Sequence, residues 1–165
     1  MGKMPRTLAM RILDSKKIPY TIHEFSENIR DAKQVANELH IAAEQVFKTL
    51  ILLREDDRNE RPFIYMVPAD SEIDLRQFAR ELGIKSARMA PHEVAEKITG
   101  LKVGGISALA LLNKPFAIYL DRSAENFSEI LVSAGQRGID IQISVRDLQA
   151  VTGAHLIQAT QAKSG

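Results

Sequence analysis

The fold is decided by two stretches of sequence, Val46-Phe47-Lys48-Thr49-Leu50-Ile51-Leu52-Leu53 and Phe63-Ile64-Tyr65-Met66-Val67. Both are short apolar runs bounded by polar residues, which is typical of strands. The first run places apolar side chains on both of its faces, so we expect it to be a central strand of a sheet. The polar residues between the two runs, 54–62, predict a surface hairpin loop.

Outside these strands, short helices and short strands follow one another without internal repeats. The hydrophobic spacing predicts helices at residues 7–16, 31–39, 75–82, 91–98 and 145–151, and further strands at residues 20–25, 86–89, 116–120, 130–133 and 139–143. In the first helix, we expect Leu8, Ile12 and Leu13 to share the inward face. The last two strands flank Gly135-Gln136-Arg137-Gly138, which favours a tight turn. This order predicts one compact α+β domain over residues 1–165, with a mixed, largely antiparallel sheet flanked by short helices.

Composition excludes several classes of function. The absence of cysteine removes disulfides, cysteine nucleophiles and thiolate metal sites. The four histidines have no metal-ligand spacing, so we expect surface or structural roles for them and no metal or cofactor. No stretch resembles a signal peptide or reaches the roughly 20 apolar residues that span a bilayer, which predicts a cytoplasmic protein without a membrane partner. A net charge of +1 argues against a grip on long nucleic acid and leaves room for a small footprint on the end of an RNA.

Lys48 is the one charge inside the first central strand. If the strand alternates, Lys48 shares a face with Leu50 and Leu52. The ammonium group must then snorkel from the strand end, pair with a carboxylate, or point into a cleft. In a cleft it would be a cation ready for a phosphate or a polarised carbonyl.

The second candidate is the segment Gly104-Gly105-Ile106-Ser107. Adjacent glycines let a ligand approach the main chain closely, and their N–H groups, with the Ser107 hydroxyl, could form an oxyanion hole. The alternative is a plain turn or bulge between two elements. Ser107 is not predicted to be a nucleophile, because no recognisable pattern places a histidine beside it. Taken alone, Tyr20 and Asp140 indicate only a packed strand residue and a solvated carboxylate.

Four segments in order resemble the YbaK/EbsC family of Cys-tRNA(Pro) deacylases, which are related to the editing insertion domain of bacterial prolyl-tRNA synthetases. They are Lys17-Ile18-Pro19-Tyr20-Thr21-Ile22-His23-Glu24, Gln45-Val46-Phe47-Lys48-Thr49-Leu50, Gly104-Gly105-Ile106-Ser107 and Ser133-Ala134-Gly135-Gln136-Arg137-Gly138-Ile139-Asp140. The resemblance runs over nearly the whole chain and implies a compact α+β fold. It also implies hydrolysis of the ester that joins an amino acid to tRNA, with the acceptor end of mischarged tRNA as partner and prolyl-tRNA synthetase as a further partner.

The resemblance also implies roles for individual residues. Activity in the family depends on the lysine that maps to Lys48. The substrate-binding residues map to Tyr20, Gly104, Gly105, Ile106, Ser107, Ser133 and Asp140. Relatives specific for alanine carry a histidine near the equivalent of Ser133; this chain does not, which favours the cysteine-specific branch. In that branch the thiol of the substrate is thought to attack its own carbonyl and release a cyclic thiolactone.

One position departs from the family pattern. The family usually reads Gly-Gly-Ile-Ser-Pro, and this chain has Ala108 in place of the proline. Loss of a fixed φ angle is expected to loosen the turn and to change the pocket shape. Two alternatives therefore stay open: a deacylase for another small amino acid, alanine or serine, and a non-catalytic module that binds aminoacyl-tRNA or the synthetase. The intact Lys48 favours catalysis.

Overall fold

Short helices and short strands alternate along the chain in a computed structural model that describes residues 6–29, 31–55 and 61–162. The elements are α1 (Leu8–Ser15), β1 (Thr21–Glu24), α2 (Ala32–Leu39), β2 (Phe47–Arg54), β3 (Phe63–Pro68), β4 (Ser71–Ile73), α3 (Leu75–Leu82), β5 (Ala87–Met89), α4 (His92–Thr99), β6 (Ala117–Asp121), β7 (Glu129–Gln136), β8 (Ile139–Ser144), α5 (Val145–Thr152), β9 (His155–Ile157) and β10 (Thr160–Ala162). Short 3-10 helices lie at Ala43–Gln45, Ala108–Leu111 and Arg122–Asn126.

The strands form a five-stranded, a three-stranded and a two-stranded sheet in the described part of the chain. Their strand orders are β5-β2-β3-β6-β9, β1-β8-β7 and β10-β4. As predicted, β2 is interior in the large sheet, where it pairs antiparallel with β3 and β5. The large sheet is mixed because β6 runs parallel to β3 and β9, while the other two sheets are antiparallel. The predicted α+β class is confirmed.

The two larger sheets meet at a parallel bridge between Val46 and Leu131, both fully buried. Val46 directly precedes β2, and Leu131 lies in β7. Beyond this bridge no further β2–β7 pairing forms among residues 6–29, 31–55 and 61–162. Because the bridge is parallel, Lys48 and Ser133, each two residues further along its strand, are brought side by side.

Local capping sets where the helices begin. The side chains of Thr7, Asp31, Asp74 and Ser144 each accept a hydrogen bond from a main-chain N–H in the first turn of α1, α2, α3 and α5. This is the usual stabilisation of a helix N-terminus. The predicted end of α3 at Gly83 is also confirmed. None of the helices in the described ranges is long and apolar enough to cross a membrane.

The structure corrects one residue of the inward face predicted for the first helix. Leu13 is fully buried as predicted and Ile12 is half-buried, whereas Leu8 is 47% exposed; Ala9 and Met10 are also fully buried. The helix packs on β7 and on the 3-10 helix Ala108–Leu111. Leu8, the first residue of the helix, is left largely in solvent.

Three strands were not predicted, namely β4, β9 and β10. Each has only three residues, so its sequence carries little periodic signal. The hairpin between β2 and β3 is confirmed by their antiparallel pairing. Residues 56–60 of its loop, and residues 1–5 of the segment examined for a leader, lie outside the described residues.

A buried carboxylate ties the end of the chain to the large sheet. Asp121, at the end of β6, accepts hydrogen bonds from the Tyr65 hydroxyl (2.6 Å), the Thr160 hydroxyl (3.0 Å) and the Ser123 hydroxyl. The Tyr65 hydroxyl in turn accepts from the Ala159 N–H (2.9 Å). Burial raises the pKa of Tyr65, and the hydrogen bond to Asp121 raises it further, so Tyr65 stays a neutral donor.

Candidate active site

A cleft of about 220 Å³ opens beside β2 where the two larger sheets separate. Its polar lining residues are Asp31, Lys48, Thr49, His92, Ser133 and Asp140, and apolar side chains line much of the remaining wall. The volume is below the range of about 300–1,000 Å³ for pockets that hold drug-sized ligands. The cleft therefore suits a small chemical group.

The structure brings together five of the residues singled out in the sequence. The cleft is lined by Lys48, Gly104, Ile106, Ser133 and Asp140. The bridge between Val46 and Leu131 sets Lys48 beside Ser133, and Ser133 pairs directly with Asp140 across β7 and β8. Residues that are far apart in the chain thus meet because of strand register.

Tyr20 does not line the cleft. Its hydroxyl donates a hydrogen bond to Asp14 Oδ1 (2.8 Å), and its ring packs against the hydrophobic core. Strand alternation explains this placement: His23 pairs with Asp140 and shares its face of the sheet, whereas Tyr20, three residues earlier, falls on the other face. The structure therefore separates Tyr20 from the other predicted residues.

Gly105 lies behind the cleft wall, packed against another loop. A Cβ atom at Gly105 would lie 2.8 Å from the Arg137 main-chain nitrogen and 3.0 Å from the Gln136 carbonyl carbon. The Gly105 N–H donates to the Lys102 carbonyl oxygen (2.8 Å), so it is already engaged. In this structure Gly105 serves a close main-chain contact, and its N–H does not point into the cleft as a free donor.

Ser107 is also absent from the cleft lining. It is 1% exposed, and its hydroxyl oxygen has no hydrogen-bond partner among the residues that the structure describes. The next residue, Ala108, begins a 3-10 helix and is itself buried. The turn that follows Ser107 is thus part of a buried 3-10 helix, and the effect of losing the proline on its rigidity stays a prediction.

The loop that carries Gly104 is held from two sides. The Val103 N–H donates to Glu96 Oε2 on α4 (2.8 Å), and the Val103 carbonyl oxygen accepts from Arg137 Nε (2.7 Å). Gly104 itself adopts a positive φ of 91°, a conformation that glycine adopts without steric cost. The cleft wall is thus fixed by side chains outside the cleft.

The carboxyl of Asp140, a lining residue of the cleft, has a raised pKa. Asp140 is 7% exposed, and burial raises the pKa of its carboxyl from 3.8 to about 7. At neutral pH the carboxyl is therefore partly protonated, and it can hold or accept a proton in a reaction. His23 lies opposite on β1, with its Nε2 2.8 Å from Gln142 Oε1.

Sequence reasoning missed three polar lining residues: Asp31, Thr49 and His92. Asp31 is the N-cap of α2, and its side chain accepts from the Lys33 N–H. His92 is the first residue of α4. Their helix-start positions were readable in the sequence, but nothing local indicated that both helix ends face one cleft. In the described ranges, no group of three or more histidine, aspartate or glutamate side chains could hold a metal ion.

Known proteins carry the same sequence pattern and the same fold. The sequence-family model described as "Aminoacyl-tRNA editing domain" matches residues 26–151 of this chain. The chain is 32% identical over 157 residues to the Enterococcus faecalis protein named "Putative Cys-tRNA(Pro)/Cys-tRNA(Cys) deacylase EbsC", covering 94% of this chain and 93% of that protein. It is 27% identical over 139 residues to a proline–tRNA ligase of Caldicellulosiruptor saccharolyticus, covering 83% of this chain and 23% of the ligase.

A solved structure gives the same result for the fold. It is described as that of a putative trans-editing enzyme for prolyl tRNA synthetase, and it superposes with a TM-score of 0.78 at 22% identity, over 98% of this chain and all of the other. At that identity the likeness concerns the fold alone. The family match covers most of the chain, and the chain belongs to the aminoacyl-tRNA editing domain family.

Proposed function

We propose that this chain is a trans-editing hydrolase that removes cysteine from mischarged Cys-tRNA(Pro) at the acceptor end. Membership of an editing-domain family makes it an aminoacyl-tRNA deacylase, and the relative at 32% identity supports cysteine as the amino acid. The observation that carries the proposal is the small cleft in which Lys48, Ser133 and Asp140 meet. Prolyl-tRNA synthetase is the proposed second partner, supported by the similarity to a proline–tRNA ligase.

The proposed reaction uses the thiol of the substrate as the nucleophile. The sulfur forms a bond to the ester carbonyl carbon, the bond from that carbon to the ribose oxygen breaks, and a cyclic thiolactone leaves. The proton lost by the thiol ends on the ribose oxygen. Asp140, with a pKa of about 7, can take this proton and return it. The Lys48 ammonium stabilises the charge that develops on the ester or on its neighbouring phosphate.

A thiol held beside its own carbonyl needs no nucleophile from the protein. Well-oriented neighbouring groups reach effective molarities of about 10⁵–10⁸ M, so positioning alone supplies a large rate gain. The chain has no cysteine and Ser107 lies outside the cleft lining, which agrees with this route. Alanine and serine lack the thiol and cannot use it at the same rate.

The test is a deacylation assay on one tRNA(Pro) body charged with cysteine, alanine or serine. We expect Cys-tRNA to be cleared much faster than the other two, and alkylation of the substrate thiol to protect the ester. If thiol-blocked Cys-tRNA or Ala-tRNA is cleared as fast as native Cys-tRNA, the thiol route is wrong. A water activated near Asp140 then replaces it, and the protein is a deacylase for small amino acids in general.

A further inference from the structure

The floor of the cleft is the edge of a β-strand. Five consecutive residues of β2, Phe47-Lys48-Thr49-Leu50-Ile51, line the cleft. Side chains of a strand alternate between its two faces, so a cleft that contacts all five meets the strand along its edge. On this edge β5 pairs only with Leu52–Arg54, and the bridge to Leu131 is made at Val46. Between these points no strand among the described residues is paired with β2 on this edge, although β7 runs close by at the Lys48 end.

The register identifies the main-chain groups that point into the cleft. Along an antiparallel strand, successive residues direct their N–H and C=O groups to opposite edges. The Ile51 carbonyl accepts from the Ala90 N–H (2.9 Å) on the β5 side, and the Val46 carbonyl accepts from the Ala69 N–H (2.8 Å) on the β3 side. Alternation from Ile51 therefore directs both the N–H and the C=O of Thr49 toward the uncovered edge.

A proline in the neighbouring strand supports this register. Pro68 of β3 stands opposite Phe47, which has the same orientation as Thr49. Proline has no N–H to donate, and it fits a strand only where the missing donor would face away from the ladder. The pair of Phe47 and Pro68 is thus one that exchanges no hydrogen bonds, and the Thr49 peptide groups likewise have no place in the β2–β3 ladder.

We propose that the main-chain N–H and C=O of Thr49 bind the aminoacyl group of the substrate, an inference that rests on the proposed function. An aminoacyl ester carries an α-ammonium donor and a carbonyl acceptor on one α-carbon, as a residue of a neighbouring strand carries its N–H and C=O. The Thr49 N–H donates to the ester carbonyl oxygen, and the Thr49 C=O accepts from the α-ammonium. The substrate extends the sheet by one residue, as peptides do when they add to a sheet edge.

This arrangement supplies what the Gly105 N–H cannot. The bond from the Thr49 N–H strengthens as negative charge develops on the carbonyl oxygen, which is the property of an oxyanion donor. The contact involves no side chain of the amino acid, so it recognises any amino acid that has a free α-ammonium. Substrates with a blocked amino group, such as the N-acetylated ester, lose the positive charge and add bulk against the strand edge.

The experiment replaces the Thr49 amide by an ester, by incorporating the α-hydroxy analogue of threonine at position 49. This change deletes the N–H and keeps the side chain. We expect kcat/KM on Cys-tRNA to fall about 10²- to 10³-fold, the usual effect of losing one oxyanion donor, with little change in Tm. The matched control is the same replacement at Tyr119, in the ladder between β3 and β6. It should lower Tm and leave kcat/KM within about twofold of the wild type.

Two results would overturn the inference: a Thr49 ester with wild-type kcat/KM, or one that loses as much Tm as the Tyr119 control. A second measurement uses adenosine that carries cysteine through a stable 3′-amide, with and without an N-acetyl group. The wild type should bind the free-amine compound at least tenfold more tightly than the acetylated one, and the Thr49 ester should bind the free-amine compound more weakly. If the wild type binds this compound as predicted but clears no mischarged tRNA, the proposed function fails and the inference stands. If it does not bind, the inference fails.

Discussion

Strand register places the side chains of Asp140 and Lys48 at the junction of the sheets. The two side chains differ in how deeply they are buried. Lys48 lies at a half-buried position on β2 and lines the cleft. Asp140 is almost fully buried, and its surroundings make its charged form costly. Activity should depend on both residues, whereas burial of the Asp140 carboxyl also carries a cost in stability that depends on pH.

Asp140→Asn should therefore change the pH dependence of stability. The folded-state pKa of Asp140, about 7, lies above its ordinary value of 3.8, so the folded protein binds the proton more tightly than the unfolded chain does. The free energy of unfolding then falls as pH rises from about 4 to about 7, by a total on the order of 4 kcal/mol, and the loss is complete above that range. The variant lacks this loss, so its stability relative to wild type should rise from pH 5 to pH 8 in urea titrations.

Lys48 of β2, Asp31 at the N-cap of α2 and His92 of α4 line the same cleft, and His23 of β1 pairs with Asp140. These residues are present in both proteins, so the comparison of wild type with variant isolates the Asp140 carboxyl. A stability difference that stays constant from pH 5 to pH 8 would show that Asp140 does not hold its proton near neutrality.

Lys48→Ala should abolish most of the activity without unfolding the protein. Removing a cation that stabilises transition-state charge is expected to cost about 2.7–4 kcal/mol, by analogy with the loss of an oxyanion donor. The control is Lys97→Ala, an exposed lysine on α4 that does not line the cleft. Single-turnover deacylation, together with thermal unfolding, measures the effect. Near-normal turnover in a folded Lys48→Ala protein would remove Lys48 from the mechanism.

Gly105→Ala tests the close contact behind the cleft wall. The new methyl group would meet the main chain of Arg137 at 2.8 Å, so one loop must move, at a cost of about 1–3 kcal/mol. Because the same loop carries Gly104 into the cleft, kcat/KM should fall as well. Gly83→Ala at the end of α3 is the comparison: it has a positive φ but no atom within 4 Å, so it should cost stability alone. Equal effects of the two variants on kcat/KM would contradict this reading.

At the scale of elements, the hydrogen bonds around Asp121 decide how β10 and the segment before it are held. Tyr65→Phe removes one donor to Asp121 and leaves the Ala159 N–H without its acceptor in a buried place. The expected loss is about 1–3 kcal/mol in the free energy of unfolding. Tyr119→Phe is the matched control, because the structure gives the Tyr119 hydroxyl no hydrogen-bond partner among the described residues, and it should change stability by less than about 0.5 kcal/mol. Similar losses in urea titrations of both variants would assign the effect to ring packing.

Among the helices and strands, some boundaries could be predicted from the sequence and others could not. Helix starts at Asp31 and Ser144 and the end at Gly83 depend on neighbouring residues, so the sequence located them within a residue or so. The three-residue strands β4 and β10 form because they pair with each other across about half of the chain, and no local pattern carries that information. The prediction for α1 was right for Leu13 and wrong for Leu8, since the partner surface decides which side chains are covered.

The residues of the candidate site likewise fall into those that a local sequence signal predicted and those that it did not. Lys48 stood out because a charge in an apolar strand is visible in a sequence, and motif matching added Ser133 and Asp140. Thr49 was missed because its proposed contribution comes from main-chain groups, which every residue has. Those groups are available because no strand in the described part of the chain pairs with them, and such a gap in pairing cannot be read from a sequence.

At the scale of the whole molecule, the nearly balanced charge predicts a shallow salt dependence of tRNA binding. The net charge is +1, and the cleft of about 220 Å³ is too small for more than the end of the acceptor strand that we propose as its occupant. Log affinity falls by about 0.7–0.9 per neutralised phosphate for each log unit of salt, so a few contacts give a slope of a few units. Titrations of tRNA at several salt concentrations measure this slope. A slope that corresponds to ten or more phosphates would mean that a large basic surface takes part.

The bridge between Val46 and Leu131 also determines when, during synthesis and folding, the candidate active site can form. Lys48 comes from the first third of the chain and Asp140 from the last, so the cleft closes only through contacts that are far apart in sequence and form late in folding. A chain still emerging from the ribosome exposes the β2–β3 hairpin before β7 exists. During that interval, the strand edge that we propose for the aminoacyl group is open to any other extended chain, and unpaired edges of this kind recruit one another. The groups that we propose to select the substrate in the finished protein are thus, during synthesis, an edge at which nascent copies can aggregate.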